Sequence, residues 1–153
     1  MEKKVDSREE MLIQLMTQIR INYKVFEELL QSIQTEDLRN LVIRIKMQKD
    51  LFIRELKRIF EDKSFDFTTN SSTEKDEIKK LILEYASENT EETCFNIIRL
   101  REKHLLEIYD ELMMNILKNE IAKMIFRNHI NEIRRDLRAL QDLHDNIALQ
   151  NAS

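Results

Sequence analysis

The chain contains no glycine, no proline and a single cysteine. Without glycine there can be no phosphate-cradling loop, dinucleotide fingerprint or serine-hydrolase elbow, because each needs glycine where backbone approaches a ligand or turns sharply. The usual two-residue hairpin turns, built on Asn-Gly or Asp-Gly, are excluded for the same reason. One cysteine, Cys94, cannot close an internal disulfide and fits a reducing compartment. No apolar run approaches the ~20 residues that a membrane span requires. The leading segment MEKKVDSREE carries charge but no apolar secretory core. A basic excess is also missing: 25 Lys and Arg stand against 29 Asp and Glu, a formal net charge of -4. That balance has the wrong sign for a protein that neutralises nucleic-acid phosphates. The expectation is a cytoplasmic protein that binds neither membrane nor nucleic acid.

What is present is helical periodicity. At 42% apolar and 35% charged residues over 153 positions, the composition is that of one globular domain spanning 1–153. Ser7 with Glu10 makes a capping-box signature. Leu12, Leu15, Met16, Ile19, Tyr23, Phe26, Leu30 and Ile33 then recur at steps of three and four, which puts them on one helix face. Thr35 is placed to cap a second helix, with Glu36 and Asp37 in the first turn, where the helix dipole favours acids. Its apolar face is Leu38, Leu41, Val42, Ile45, Phe52, Leu56 and Ile59. Each helix would run about 40 Å, so the two form a long antiparallel hairpin.

Residues 63–72, KSFDFTTNSS, interrupt the pattern and read as a linker, followed by a short helix over about 73–87 through Ile78, Leu81, Ile82 and Tyr85. Asn89 and Thr90 mark the entry to a third long helix carrying Phe95, Ile98, Leu105, Tyr109, Leu112 and Ile116. A turn near Lys118 and Asn119 leads to a fourth, with Ile125, Phe126, Ile133, Leu137, Leu140, Leu143 and Ile147. Four such helices bury their stripes together as a four-helix bundle. The connection between the second and third helices is far longer than a hairpin requires. It can cross the full height of the bundle, which makes the second and third helices parallel. The expected fold is all-α: a ferritin-like four-helix bundle with a long crossover holding a short extra helix.

Counting from the two turns brings Tyr23, Gln48, Glu102, His129 and Glu132 toward one mid-bundle storey, at ~1.5 Å rise per residue. His129 and Glu132, three apart, are neighbours on the helix surface. Carboxylate-bridged di-metal bundles take one Glu from each of two helices and Glu-x-x-His from each of the others, since two cations need several carboxylates to neutralise and bridge them. Here the ligand count falls short. Glu102, His129 and Glu132, helped by Glu55, are the candidate ligands for iron or another divalent metal, while Lys49 and Arg101 bring positive charge close to any cation. The plainer reading is a hydrogen-bonded polar layer of Tyr23, Gln48, Arg101 and their acidic partners, with no cofactor. No nucleophile stands beside a fixed base, so neither catalytic nor cofactor-binding residues are assigned. His104 and His144 read as solvated, Cys94 as a small buried hydrophobe, and Met113, Met114 and Met124 as core filler. Arg127, Arg134 and Arg138, interleaved with Asp136, Asp142 and Asp145, read as a solvated ion-paired face.

Taken together, Tyr23, Phe52 with Glu55-Leu56, the helix from Thr73 to Ser87, Glu102 with Tyr109 seven residues on, and Arg138-Ala139-Leu140 resemble a known family. It is the small bacterial ferritin-like bundles catalogued as a domain of unknown function. The resemblance covers nearly the whole chain in order, through short motifs. Family members carry acids before the first-helix tyrosine, where this chain has Arg20 and Ile21. They carry glycine before the third-helix glutamate, where it has Arg101, and a histidine near the position of Arg134. The resemblance implies cytoplasmic, dimeric bundles of uncharacterised role, some linked to stress. The functional expectation is a non-catalytic structural or interaction protein with a degenerate metal site. Its alternatives are a metal-binding oxidoreductase or iron-handling protein, and a helical adaptor that docks a partner helix in a groove. An exposed apolar stripe left over after packing would favour the adaptor.

Overall fold

The computed structural model describes residues 7–59, 76–81, 83, 91–115 and 119–152. They form four long helices, α1 (Ser7–Leu30), α2 (Glu36–Ile59), α3 (Glu91–Asn115) and α4 (Glu120–Ala152), and residues 76–81 are helical as well. No strand occurs among the described residues. None of the described helices is long and apolar enough to cross a membrane. The linker expected at 63–72, the caps Asn89 and Thr90, and Ile116 all lie outside the described residues.

Local chemistry sets the helix ends. The α1 chain closes through turn bonds from Gln31 N to Glu28 O (3.2 Å) and Ser32 N to Leu29 O (3.1 Å). Arg39, from the first turn of α2, donates to the carbonyl of Leu30 at 2.8 Å, so a cation meets the negative end of α1. Glu36 and Asp37 occupy the first turn of α2, and Lys57 and Arg58 its last, matching the dipole at both ends. Thr35 directs its hydroxyl to Glu91 Oε1 on the first turn of α3, tying two helix starts together. Asn119 caps α4: its Oδ1 accepts from Ile121 N (2.9 Å) and Ala122 N (3.3 Å).

Helix α1 packs on α2 and α3, and α4 packs on the same two, which leaves α1 and α4 on one diagonal and α2 and α3 on the other. The core divides into two apolar clusters. One joins the start of α1 (Leu12 to Ile19) to the ends of α2 and α3 and the start of α4 (Phe126, Ile133). The second joins the end of α1 (Val25 to Ile33) to the starts of α2 and α3 and to Leu140 of α4. From this pairing of ends, α1 and α4 run one way and α2 and α3 the other. Between α2 and α3 in the chain, residues 76–81 add a further helical stretch. Within it, Ile78 and Leu81 pack on the second cluster.

The apolar faces read from periodicity are the buried ones, with local shifts. Tyr23 and Leu30 are half-buried, while Ile21, Val25 and Leu29 are buried beside them. A helix turns 100° per residue, so a contact surface on two neighbours exposes residues to either side of a single stripe. Met113 fills core space as expected, but Met114 is 83% exposed and Met124 55%, because each falls on the outer side of its helix. The contrast between core and cap is measurable. Phe126→Ala should cost about 3–5 kcal/mol of unfolding free energy, against about 1 kcal/mol for Asn119→Ala, both read from urea denaturation.

Candidate functional site: a buried polar layer

The two apolar clusters are separated by a storey of polar side chains. Asn22 of α1, Lys49 of α2, Arg101 and Glu102 of α3 and Asp136 of α4 are all buried, and each lies in sequence between residues of the two clusters. Lys49 is 0% exposed and Glu102 1%, and Lys49 Nζ lies 2.9 Å from Glu102 Oε2. The two residues stand on diagonal helices, so the lysine stem reaches across the centre of the bundle. Nζ also donates to Gln48 Oε1 at 3.2 Å and sits 4.8 Å from the centre of the Phe52 ring, a cation–π contact on its apolar side. Glu102 Oε1 finds no hydrogen-bond partner among the described residues. Burial pushes the Glu102 carboxyl above its ordinary value, and the nearby Asp136 charge adds to that, while Lys49 and Arg101 pull it down.

Asp136 is raised for the same first reason, burial, and is opposed by Lys49 and by Arg44, whose Nη2 donates to Oδ1 at 3.2 Å. One internal ammonium thus serves two buried carboxyls. Arg101 completes the layer on the α1 side. Its Nε donates to Asn22 Oδ1 (2.8 Å), its Nη1 to Glu77 Oε1 (2.7 Å), and its Nη2 to Gln18 Oε1. Asn22 returns a bond from Nδ2 to the Arg101 carbonyl (3.4 Å). Glu77 belongs to the helical stretch 76–81, so this one guanidinium fastens the inter-helix connection to the bundle wall.

A second constellation sits on the α1-start side of the layer. Tyr109 Oη lies 2.6 Å from His129 Nδ1, and the Phe52 ring stacks on the imidazole at 3.8 Å and 16°. His129 Nε2 faces Glu55 Oε2 at 3.7 Å. Burial, reinforced by the Lys49 charge, holds His129 down to about 3, so the ring is neutral at physiological pH. With the proton on Nε2, towards the Glu55 carboxylate, Nδ1 is the acceptor and the Tyr109 hydroxyl the donor. That hydroxyl is itself pushed well above its ordinary range by burial. The trio has the linkage of a relay, but Tyr109 is fully buried and reaches no surface.

Counting from the turns groups Tyr23, Gln48, Glu102 and His129; Glu102 lies in the layer, and other residues stand in it in place of the remaining three. Asn22 takes the place of Tyr23, which lies half-buried with the Lys46 ammonium 5.1 Å over its ring. Lys49 takes the place of Gln48, which is half-buried beside Asp136. On α4 the layer residue is Asp136, and His129 lies about 10 Å along the axis from it, at 1.5 Å per residue. Depth on α4 counts from the opposite end of the bundle, and α4 is 33 residues long where its neighbours have 24 or 25. The four candidate metal ligands consequently divide. Glu102 belongs to the Lys49 pair, whereas Glu55, His129 and Glu132 lie close together, Glu132 raising the Glu55 carboxyl by repulsion after burial. Among the described residues, no group of three or more His, Cys, Asp and Glu side chains is arranged to hold a metal ion.

The remaining candidates are peripheral. His104 is exposed beside Glu107. His144 is less solvated than its neighbours imply: it bonds Glu92 at 2.7 Å and meets the Phe95 ring edge-on. Cys94 is buried, with its thiol pushed up to about 12 by burial, which removes it as a nucleophile.

Two measurements probe the layer. Removing one charge of a buried pair strands the other, whereas replacing both with apolar groups does not. Lys49→Met alone should therefore cost about 3–5 kcal/mol, and the double variant Lys49→Met/Glu102→Leu should recover most of that loss in denaturant titrations. The second concerns pH. His129 takes a proton at about 3 in the fold, against an ordinary value of 6.5. Its contribution is thus complete above pH 6.5 and is lost as pH falls toward 3. Glu102 and Asp136, raised in the fold, act in the opposite sense and gain as pH falls. Comparison with His129→Asn isolates the histidine: the stability advantage of the parent over the variant should shrink by about 2 kcal/mol between pH 7 and pH 5.

No protein-family model, curated protein or solved structure matches this chain.

Proposed function

We propose that this protein is a ferritin-like helical bundle in which a lysine has taken the place of a metal, and that it acts as a non-catalytic structural or interaction protein. The observation that carries this reading is the Lys49 ammonium, 2.9 Å from Glu102 at the centre of the bundle. A metal cation bound there would have to share the site with a fixed positive charge, and in a poorly screened interior that repulsion is large. Asp136, the other buried carboxyl of the layer, is raised by burial and already accepts from Arg44. The degenerate site is a charge-balanced polar layer. Parallel α2 and α3 support the ferritin-like order and a crossover between them. A stress-linked, dimeric, cytoplasmic role follows from the family resemblance.

Tyr109 is fully buried and the Cys94 thiol is held in its protonated form, and both support a role without chemistry. A second reading, an iron-handling or metal-dependent oxidoreductase, draws support from Glu55, Glu132 and His129 Nε2 lying together beside the layer. Elemental analysis of protein purified from iron-supplemented cells separates the two. Metal content far below one ion per chain, unchanged in Glu102→Ala and Glu132→Ala, is the expected result. Stoichiometric iron that is lost in either variant would establish the second reading. Sedimentation of the same preparation measures the dimer.

A further inference from the structure

We propose that the seam between α3 and α4 binds the phosphate backbone of duplex nucleic acid without reading its sequence. This rests on the interaction-protein reading and names a surface and a partner for it. The two helices run antiparallel, with the Phe95 ring 4.8 Å from that of His144 and Tyr109 Oη 2.6 Å from His129 Nδ1. Counting from the first contact, Arg99 falls level with Arg138 and Lys103 with Arg134, each to within about 3 Å along the axis. Arg99 lines the seam with Leu137 and Gln141. Lys103 lies one turn further along the stripe of Arg99, and Arg134 and Arg138 share the stripe of Gln141. Arg99 is half-buried and the other three cations are exposed. Together they form two rungs about 6 Å apart.

These charges are not answered within the fold. None of the four makes an ion pair among the described residues, and Arg99 donates to the neutral amide of Asn96. The acids that the α4 sequence interleaves with its arginines are turned elsewhere, so the ion-paired face expected there does not form. Asp136 is buried and accepts from Arg44 of α2, and Asp145 accepts from Gln141 at 2.9 Å. Glu132 lies on the α2 side of the helix, in the groove it shares with Arg44, Arg54 and Arg135. On α3, Glu107 faces His104 at 4.0 Å. Asp142, one turn beyond Arg138, and Asp110, two turns beyond Lys103, mark the ends of the patch. The formal net charge of -4 sums the whole chain. At 0.1 M salt, charges more than about 10 Å from the seam are largely screened from it.

The occupant follows from what accompanies the cations. A protein partner is held by an apolar centre inside a polar rim, but Leu137, the apolar residue between Arg134 and Arg138, is packed against the core. A single strand is held by rings on which its bases stack, and the ring at the seam, Phe95, is only 3% exposed. What remains is a rigid pair of cationic rungs, three of the four groups being guanidinium forks that match phosphate oxygens. A duplex presents phosphates at short, regular intervals along a stiff rod, and contacts to them carry position without sequence.

The test uses the full chain and fluorescein-labelled DNA duplexes of about two helical turns, in two unrelated sequences. Fluorescence anisotropy should show saturable binding, alike for both sequences. The logarithm of the binding constant should fall against the logarithm of salt with a slope of about -3.6, for four phosphates neutralised. Arg134→Gln and Arg138→Gln should each reduce that slope by about 0.9. Arg134→Glu/Arg138→Glu should abolish binding. Arg54→Glu/Arg58→Glu, which changes the net charge equally on α2, should leave it unchanged, and circular dichroism checks that each variant is folded. No binding at low salt, or an equal loss in the α2 variant, overturns the proposal. So does tighter binding of single-stranded oligothymidylate than of duplex, or displacement of the duplex by phosphatidylserine vesicles or polyglutamate at equal total charge. Stoichiometric iron would remove the reading of the polar layer and leave this seam standing; failure of duplex binding would do the reverse.

Discussion

A lysine ammonium in the centre of a helical bundle governs how the rest of this molecule is arranged. Taking Lys49 and Glu102 out of water costs several kcal/mol per ion, an amount that attraction between them does little more than offset. The pair therefore adds little net stability. What it does is restrict the alternatives. Sliding any of α2, α3 or α4 by one turn would leave Lys49, Glu102 or Asp136 against aliphatic side chains, with a charge stranded. Apolar stripes tolerate such slips, because one leucine replaces another. Buried charge does not, and this is the same device by which a single polar residue fixes the register of a coiled coil.

The layer also explains the chemistry on either side of it. Lys49 lies over Phe52, Phe52 stacks on His129, and His129 accepts from Tyr109, so the ammonium heads a continuous run of ring contacts and its charge is felt at His129. The imidazole stays neutral because it is buried and because a fixed cation already stands nearby. On the other side of the layer Arg101 extends the polar storey outward to Glu77, joining the bundle to the connection between its two hairpins. The ionic groups of the layer tie the helices and the stretch around Glu77 together.

Much of this was legible in the sequence. Helix positions, the start of α2 after Thr35, the turn at Asn119, and most of the core follow from periodicity and end chemistry. In the polar layer Arg101 and Glu102 of α3 were legible, α1 and α2 only to within a residue, and α4 was not. Asn22 and Tyr23 both fall between Ile19 and Phe26 at helical spacing, and pattern alone does not choose between them. Lys49 carried a usable signal, since Ile45, Lys49, Phe52 and Leu56 step by four, three and four along one seam. Burial of lysine is so costly that such a position is ordinarily read as surface. Asp136 was hidden in the same way among the arginines of α4, between Ile133 and Leu140. The depth of His129 required the relative lengths of the helices, which caps and periodicity do not fix.

Cys94 sits inside the apolar cluster that contains the starts of α2 and α3, with a thiol that ionises only at about 12. A thiol-directed reagent meets it only when that compartment opens, and the opposite compartment has no cysteine to report. The single thiol is therefore a built-in gauge of breathing at one end of the bundle: its labelling rate measures how often that end parts from the polar storey, whatever the other end is doing.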